Sequence, residues 1–110
     1  MLTPNDIRKI EIKQCDFDKL EKDIDKSIES NHCNYKWEEA LLDKEYPLSV
    51  RNEISKRYME NGWKYIYHRT SSENGEKPGL TSFIFSEVPI KYFENSTKYT
   101  KVHQLSPELD

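Results

Sequence analysis

The 110-residue chain carries a formal net charge of −3, with 35% hydrophobic and 34% charged residues. That length favours one domain, no apolar run approaches the roughly 18 residues of a membrane-spanning helix, and two cysteines are too few for a disulfide scaffold. The near-neutral charge offers no general nucleic-acid footprint, and so thin a core must draw on the seven Tyr, four Phe and two Trp.

Thr3 is a good N-cap, with Pro4 at N1 and Asp6 at N3. Leu2 and Ile7 are spaced for a hydrophobic staple. Ile7 and Ile10 share a face that Ile12 does not fit, so this first helix is expected to be short. Asp16 is a second N-cap. Phe17, Leu20, Ile24 and Ile28 then recur at helical spacing, which predicts an amphipathic helix over 17–30. Asp16 to Glu29 holds six acids and three lysines, the pattern of a solvated helix face. After the polar break at 31–34, Tyr35 and Trp37 alternate with Lys36 and Glu38, which predicts a strand over 35–39. The run Ala40-Leu41-Leu42 also suits a helical turn.

Pro47-Leu48-Ser49 marks the next helix start, with Ser49 as N-cap. Val50, Ile54 and Tyr58 recur at i, i+4 and i+8, and Gly62 is placed just past the end, giving a helix over 50–60. Residues 63–68 alternate as a strand, with Trp63, Tyr65 and Tyr67 on one face and Lys64, Ile66 and His68 on the other. Asn74-Gly75, Pro78 and Gly79 predict a hairpin loop over 70–79. Leu80 to Ser86 returns as a strand, with Thr81, Phe83 and Phe85 opposite Ile84. The order helix, helix, strand, helix, strand, strand predicts a two-layer α+β domain. Its small, mainly antiparallel sheet should have three strands packed by two main helices, preceded by the short N-terminal helix. Phe17, Leu20, Ile24, Ile28, Val50, Ile54, Tyr58 and one face of 63–67 should meet in the core.

Residues 1–86 read as the domain and 87–110 as a C-terminal extension without clear period. Ile90, Tyr92, Phe93 and Tyr99 are too apolar for a solvated terminus. They could fold back over the sheet or dock on another chain, and aromatic residues are favoured at interface cores. The partner-contact reading expects a chain ending near Glu87 to fold and to lose its partner or its self-association.

Chemistry has few candidates. His32-Cys33 is a single adjacent pair and Cys15, His68 and His103 are scattered, so no metal site is expected. No nucleophile elbow is present. Glu38, Glu39, Asp43 and Glu45 cluster around Trp37, as a solvated strand edge would. No catalytic residue and no cofactor are expected. The strongest ligand candidate is basic: Lys64, His68, Arg69 and Lys77 on or beside the hairpin. Residues 51–69 carry five Lys/Arg against two acids. Such groups beside Tyr and Trp could hold a nucleotide by charge and stacking.

The segment Thr3 to Arg8, the Leu20/Ile24/Ile28 helix, Leu48-Ser49, the Ile54/Tyr58 helix, Gly62 to Tyr65 and Phe83 to Ser86 together resemble a family of small accessory proteins of bacteriophages and large DNA viruses. The resemblance covers residues 3–86. It implies a non-enzymatic viral protein acting through protein contacts, most specifically a minor virion component, in the virion or host cytoplasm. The alternative is an inhibitor of a host defence factor or a nucleotide-sequestering protein using the basic hairpin. Secretion, a membrane and nucleic acid are not expected, the cysteines should be reduced, and the partner is a protein, a viral or host factor or a second copy.

Overall fold

A computed structural model describes residues 1–32, 36–77 and 79–103. Helices α1 (Pro4–Gln14) and α2 (Phe17–Asn31) precede strand β1 (Trp37–Leu42). Helix α3 (Leu48–Glu60), strands β2 (Tyr65–Thr70) and β3 (Thr81–Ser86), the four-residue helix α4 (Lys91–Glu94) and strand β4 (Thr100–His103) follow. The sheet runs β1-β3-β2-β4 with every pairing antiparallel. It therefore has four strands where the sequence predicts three. The fourth comes from the extension: Val102 lies opposite Ile66 and Lys101 opposite Tyr67.

Local chemistry explains the helix starts. Thr3 Oγ1 accepts from Asp6 N–H at 3.1 Å, and the Asp6 carboxylate accepts from Thr3 N–H at 2.9 Å, a reciprocal capping box. With Pro4 ahead, this carries α1 to Gln14, longer than the Ile pattern suggests. Asp16 caps α2 through Lys19 N–H at 3.1 Å. Helix α3 starts one residue before the predicted cap. Pro47 is its N-cap residue, and the Ser49 hydroxyl donates to Glu11 at 2.7 Å, tying α3 to α1.

One face of the sheet meets α2 and α3. Leu20, Ile24, Val50, Ile54 and Tyr58 bury, as predicted, against Ala40, Leu42, Ile66, Phe83 and Phe85, while Phe17 and Ile28, also expected in the core, are only partly buried at its rim. The Ala40-Leu41-Leu42 run is strand, and β1 begins at Trp37, two residues later than the pattern placed it; Cys33, Tyr35 and Pro78 lie outside the described residues. The predicted common face of Trp63, Tyr65 and Tyr67 does not form. Gly62 turns the chain at φ +113°, and Trp63 N–H bonds Tyr58 C=O at 3.4 Å, so strand alternation starts only at Tyr65. Trp63 packs on Phe85 in the helix-side core with ring centres 5.9 Å apart. Tyr65 and Tyr67 line the far face with Trp37, Ile84, Ile90, Phe93 and Tyr99.

Candidate functional site

The predicted ligand residues converge on no common point. His68 is fully buried on the helix side. Its Nδ1 lies 3.0 Å from Arg51 Nη1 and its Nε2 3.0 Å from Asn52 Oδ1. A guanidinium only donates, so Nδ1 accepts and Nε2–H donates to Asn52. Burial, and then the Arg51 charge, push His68 down to about 3, so the ring is neutral at physiological pH. Arg69 points to the opposite side, where its guanidinium grips Glu76 at 3.0 and 3.3 Å and lies 5.8 Å from the Tyr99 ring centre. Lys64 precedes β2, five residues from Arg69 and so roughly 17 Å along the strand. Lys77 is exposed in the loop.

The local positive charge is also spent internally. Arg51 is buried, donates to Tyr46 C=O at 3.0 Å, and bridges to Glu73 through both terminal nitrogens at 3.2 and 2.5 Å. Burial opposes ionisation of Glu73, but the Arg51 guanidinium and the Thr70 amide outweigh it and hold the carboxyl below its ordinary value. Arg57 pairs with Glu53 at 3.5 Å and covers the Phe17 ring at 4.2 Å. The sequence counts Arg51 among the basic groups of 51–69; what it does not reveal is that Arg51 is buried. Arg51, Ser55 and Met59 sit at i, i+4 and i+8, beside the recognised Val50, Ile54, Tyr58 line, and all six are buried. That parallel spacing was the available signal.

The carboxylates near Trp37 have separate structural work. Glu38 contacts His32 Nδ1 at 2.9 Å. Glu45 accepts from Ser72 Oγ at 2.5 Å, Gly79 N–H at 2.9 Å and Ser71 Oγ at 3.3 Å, and so clamps both ends of the β2–β3 loop. The Ser72 and Gly79 bonds hold its carboxyl below the usual range. Cys15 has its thiol pushed up by burial, which favours the unreactive protonated form.

The four tail residues proposed for partner contact part company. Ile90 and Phe93 are buried, and Phe93 is the hub of an aromatic cluster. Ring centres of Trp37, Tyr67, Tyr92 and Tyr99 lie 5.0 to 5.4 Å from it. Tyr99 is half-buried. The Tyr67 hydroxyl accepts from Ile90 N–H at 3.2 Å and donates to the Glu94 carboxylate, and burial with that carboxylate pushes it up to about 12. Tyr92 alone is strongly exposed, at 73%.

Helix α1 presents the other accessible apolar surface. None of its residues is buried; Ile7 is 42% and Ile10 39% exposed, and Leu2 is open beside them. The predicted Leu2–Ile7 staple thus leaves both side chains largely in solvent. Leu48 is exposed too, next in sequence to Ser49, the residue bonded to α1. Arg8, Lys9 and Lys13 flank the α1 patch, and among the described residues none of the three makes an ion pair. No helix is long and apolar enough to cross a membrane, and no group of three potential metal ligands occurs, among the described residues. No family model matches the chain, and no curated protein or solved structure is significantly similar to it.

Proposed function

We propose that the chain is a non-enzymatic accessory protein acting through protein–protein contacts, in the viral setting its sequence resembles, and most specifically a minor virion component. The observation that supports this reading is α1: a capped helix with no buried residue, whose Ile7 and Ile10, with Leu2 ahead of them, remain largely in solvent. Contiguous exposed apolar surface with a polar rim marks contact sites. The Arg8, Lys9 and Lys13 rim selects a partner with an apolar centre and an acidic border. The dispersal of Lys64, His68, Arg69 and Lys77 weighs against the hairpin as a nucleotide trap.

The test pairs particle proteomics with a surface variant. Quantitative mass spectrometry of purified particles of the encoding virus should find the chain at fixed copy number. Ile7→Glu with Ile10→Glu should keep the melting temperature and vanish from particles. Presence only in infected-cell lysate would turn the reading to a host-directed inhibitor, and retention of the double variant in particles would remove α1 from the contact.

A further inference from the structure

Among the surface clefts of the described residues, four can be compared by the charge of their linings. The cleft between α2 and the end of β1 (about 470 Å³) mixes Asp23 and Asp43 with Lys19, Lys26 and Lys44. That between α1, α2 and the α3 start (about 550 Å³) sets Glu11, Asp16 and Glu45 against Lys19 and Lys44. The small one at Trp63 sets Glu21 and Asp25 against Arg57. The fourth, about 600 Å³, lies on the turn after α4 and is lined by Lys91, Tyr92, Asn95, Ser96, Thr97 and Lys98, with no carboxylate. That volume is within the range of small-molecule sites.

We propose that the 91–98 turn binds a nucleoside phosphate, with Tyr92 stacked on the base and Lys91 and Lys98 on the phosphates. The acid in the middle of this segment is withdrawn: the Glu94 carboxylate accepts from the Tyr67 hydroxyl, and its backbone carbonyl accepts from Lys101 Nζ. Residues 88–103 hold three lysines against that one glutamate, a local +2 within a chain of net −3. An anion is therefore drawn to this face and repelled by the acidic helix α2. Asn95 and Thr97 make no side-chain hydrogen bond within the described residues, which leaves an amide and a hydroxyl to donate to phosphate oxygens beside the two ammonium groups.

The platform is also held in place. The Asn95 amide bonds Lys91 C=O at 3.0 Å, the Ser96 amide bonds Phe93 C=O at 3.3 Å, and the Lys98 amide bonds Ser96 Oγ at 3.1 Å. Phe93, locked among four aromatic rings, anchors the turn, and the Tyr92 ring stands edge-on to it at 85° with its own area in solvent. A flat, exposed phenol between two lysines is the chemistry that takes a base and its phosphates together. This site shares no residue with the α1 patch and stands whether or not α1 is the protein contact.

The test is an amide-resolved NMR titration of the full chain with ATP, ADP, AMP, adenosine and inorganic pyrophosphate, each to 10 mM. ATP and ADP should shift residues 91–98 saturably, adenosine and pyrophosphate much less. Lys91→Ala with Lys98→Ala should abolish the response. Tyr92→Leu, which keeps an apolar contact to Phe93, should weaken ATP about 5- to 150-fold, the range of a lost base stack, and leave pyrophosphate unchanged. All these side chains are exposed, so unperturbed spectra of the variants verify the fold. No shift at 91–98 by 10 mM ATP, or shifts centred on 64–69, would overturn the site. Pyrophosphate equalling ATP, or Tyr92→Leu binding like the natural chain, would overturn the nucleoside assignment.

Discussion

The helix-side face of the sheet is buried beneath two long helices, α2 with 15 residues and α3 with 13, whereas the far face is closed by a four-residue helix and a turn built on Phe93. On the first face burial is shared among many aliphatic residues at helical spacing. On the second it is concentrated: one phenylalanine touches Trp37, Tyr67, Tyr92 and Tyr99. The concentrated cover should be the more easily broken by a single change. It also places the molecule's exposed Tyr92 on a rigid base.

Removing the far cover entirely is the severest test. A chain ending at Glu87 loses β4 and with it the pairing of one edge of β2, and exposes Tyr67 and Ile84. For a domain with about 5–15 kcal/mol in hand, that loss should abolish the cooperative melt and give a dye-binding, loosely packed species by near-UV circular dichroism. This is the opposite of what the sequence, with its domain closing at residue 86, leads one to expect. A sharp melt within a few degrees of the full chain would show that the far face needs no cover.

Next in size is Phe93→Ala, expected to cost about 3–5 kcal/mol in urea unfolding. Leu20→Ala, on the shared helix-side face, is expected near the lower half of about 2–5 kcal/mol, because neighbouring side chains of α2 and α3 can close on the space. Equal losses would erase the contrast between the faces.

The same contrast sets what can be read from the sequence. Helices α1, α2 and α3 and their shared core are legible because caps and apolar periodicity are local and repeated: Thr3 and Asp16 start two of them, and Gly62 ends the third. β4 is not legible. Thr100-Lys-Val-His offers one apolar residue in four, and it is a strand because β2 has a second edge to fill. Phe93 carries no periodic partner, so its place at the centre of a cluster drawn from β1, β2 and residues 92–99 is set by tertiary contact alone. The charged residues mislead in a consistent way. His68, Arg69 and Arg51 read as free basic groups until Glu73 and Glu76, folded in from the loop, are seen to occupy the arginines and Arg51 to occupy His68.

That polar insert gives the helix side a pH dependence. Unfolded His68 takes a proton near 6.5, while the folded ring resists until about 3, so the unfolded state binds more protons throughout that window. Stability should therefore fall as pH drops below 6.5, by about 1.4 kcal/mol per unit and so about 2 kcal/mol by pH 5. Glu45 and Glu73, both held low, add loss in the same direction further into acid. NMR should show the His68 ring neutral at pH 5, with its single proton on Nε2. Titration near 6.5 would mean that the Arg51–His68–Asn52 chain opens readily.

The smallest expected effect is at the edge where the two faces meet. Ser27 Oγ, on α2, accepts from Leu41 N–H at 2.8 Å and donates to Leu41 C=O at 3.2 Å, so α2 caps the outer edge of β1. Ser27→Ala removes both bonds, but water can reach these groups, so the loss should be only about 0.5–1 kcal/mol. Its value lies in the double variant. Leu41 stands four residues, roughly 13 Å, along β1 from Trp37, the ring of that strand that touches Phe93. Two sites so separated, one under the helices' control and one under the aromatic turn's, should add to within about 0.5 kcal/mol. A coupling well above that between Ser27→Ala and Phe93→Ala would show that β1 transmits strain from one cover to the other, and that the two faces fold and fail as one unit.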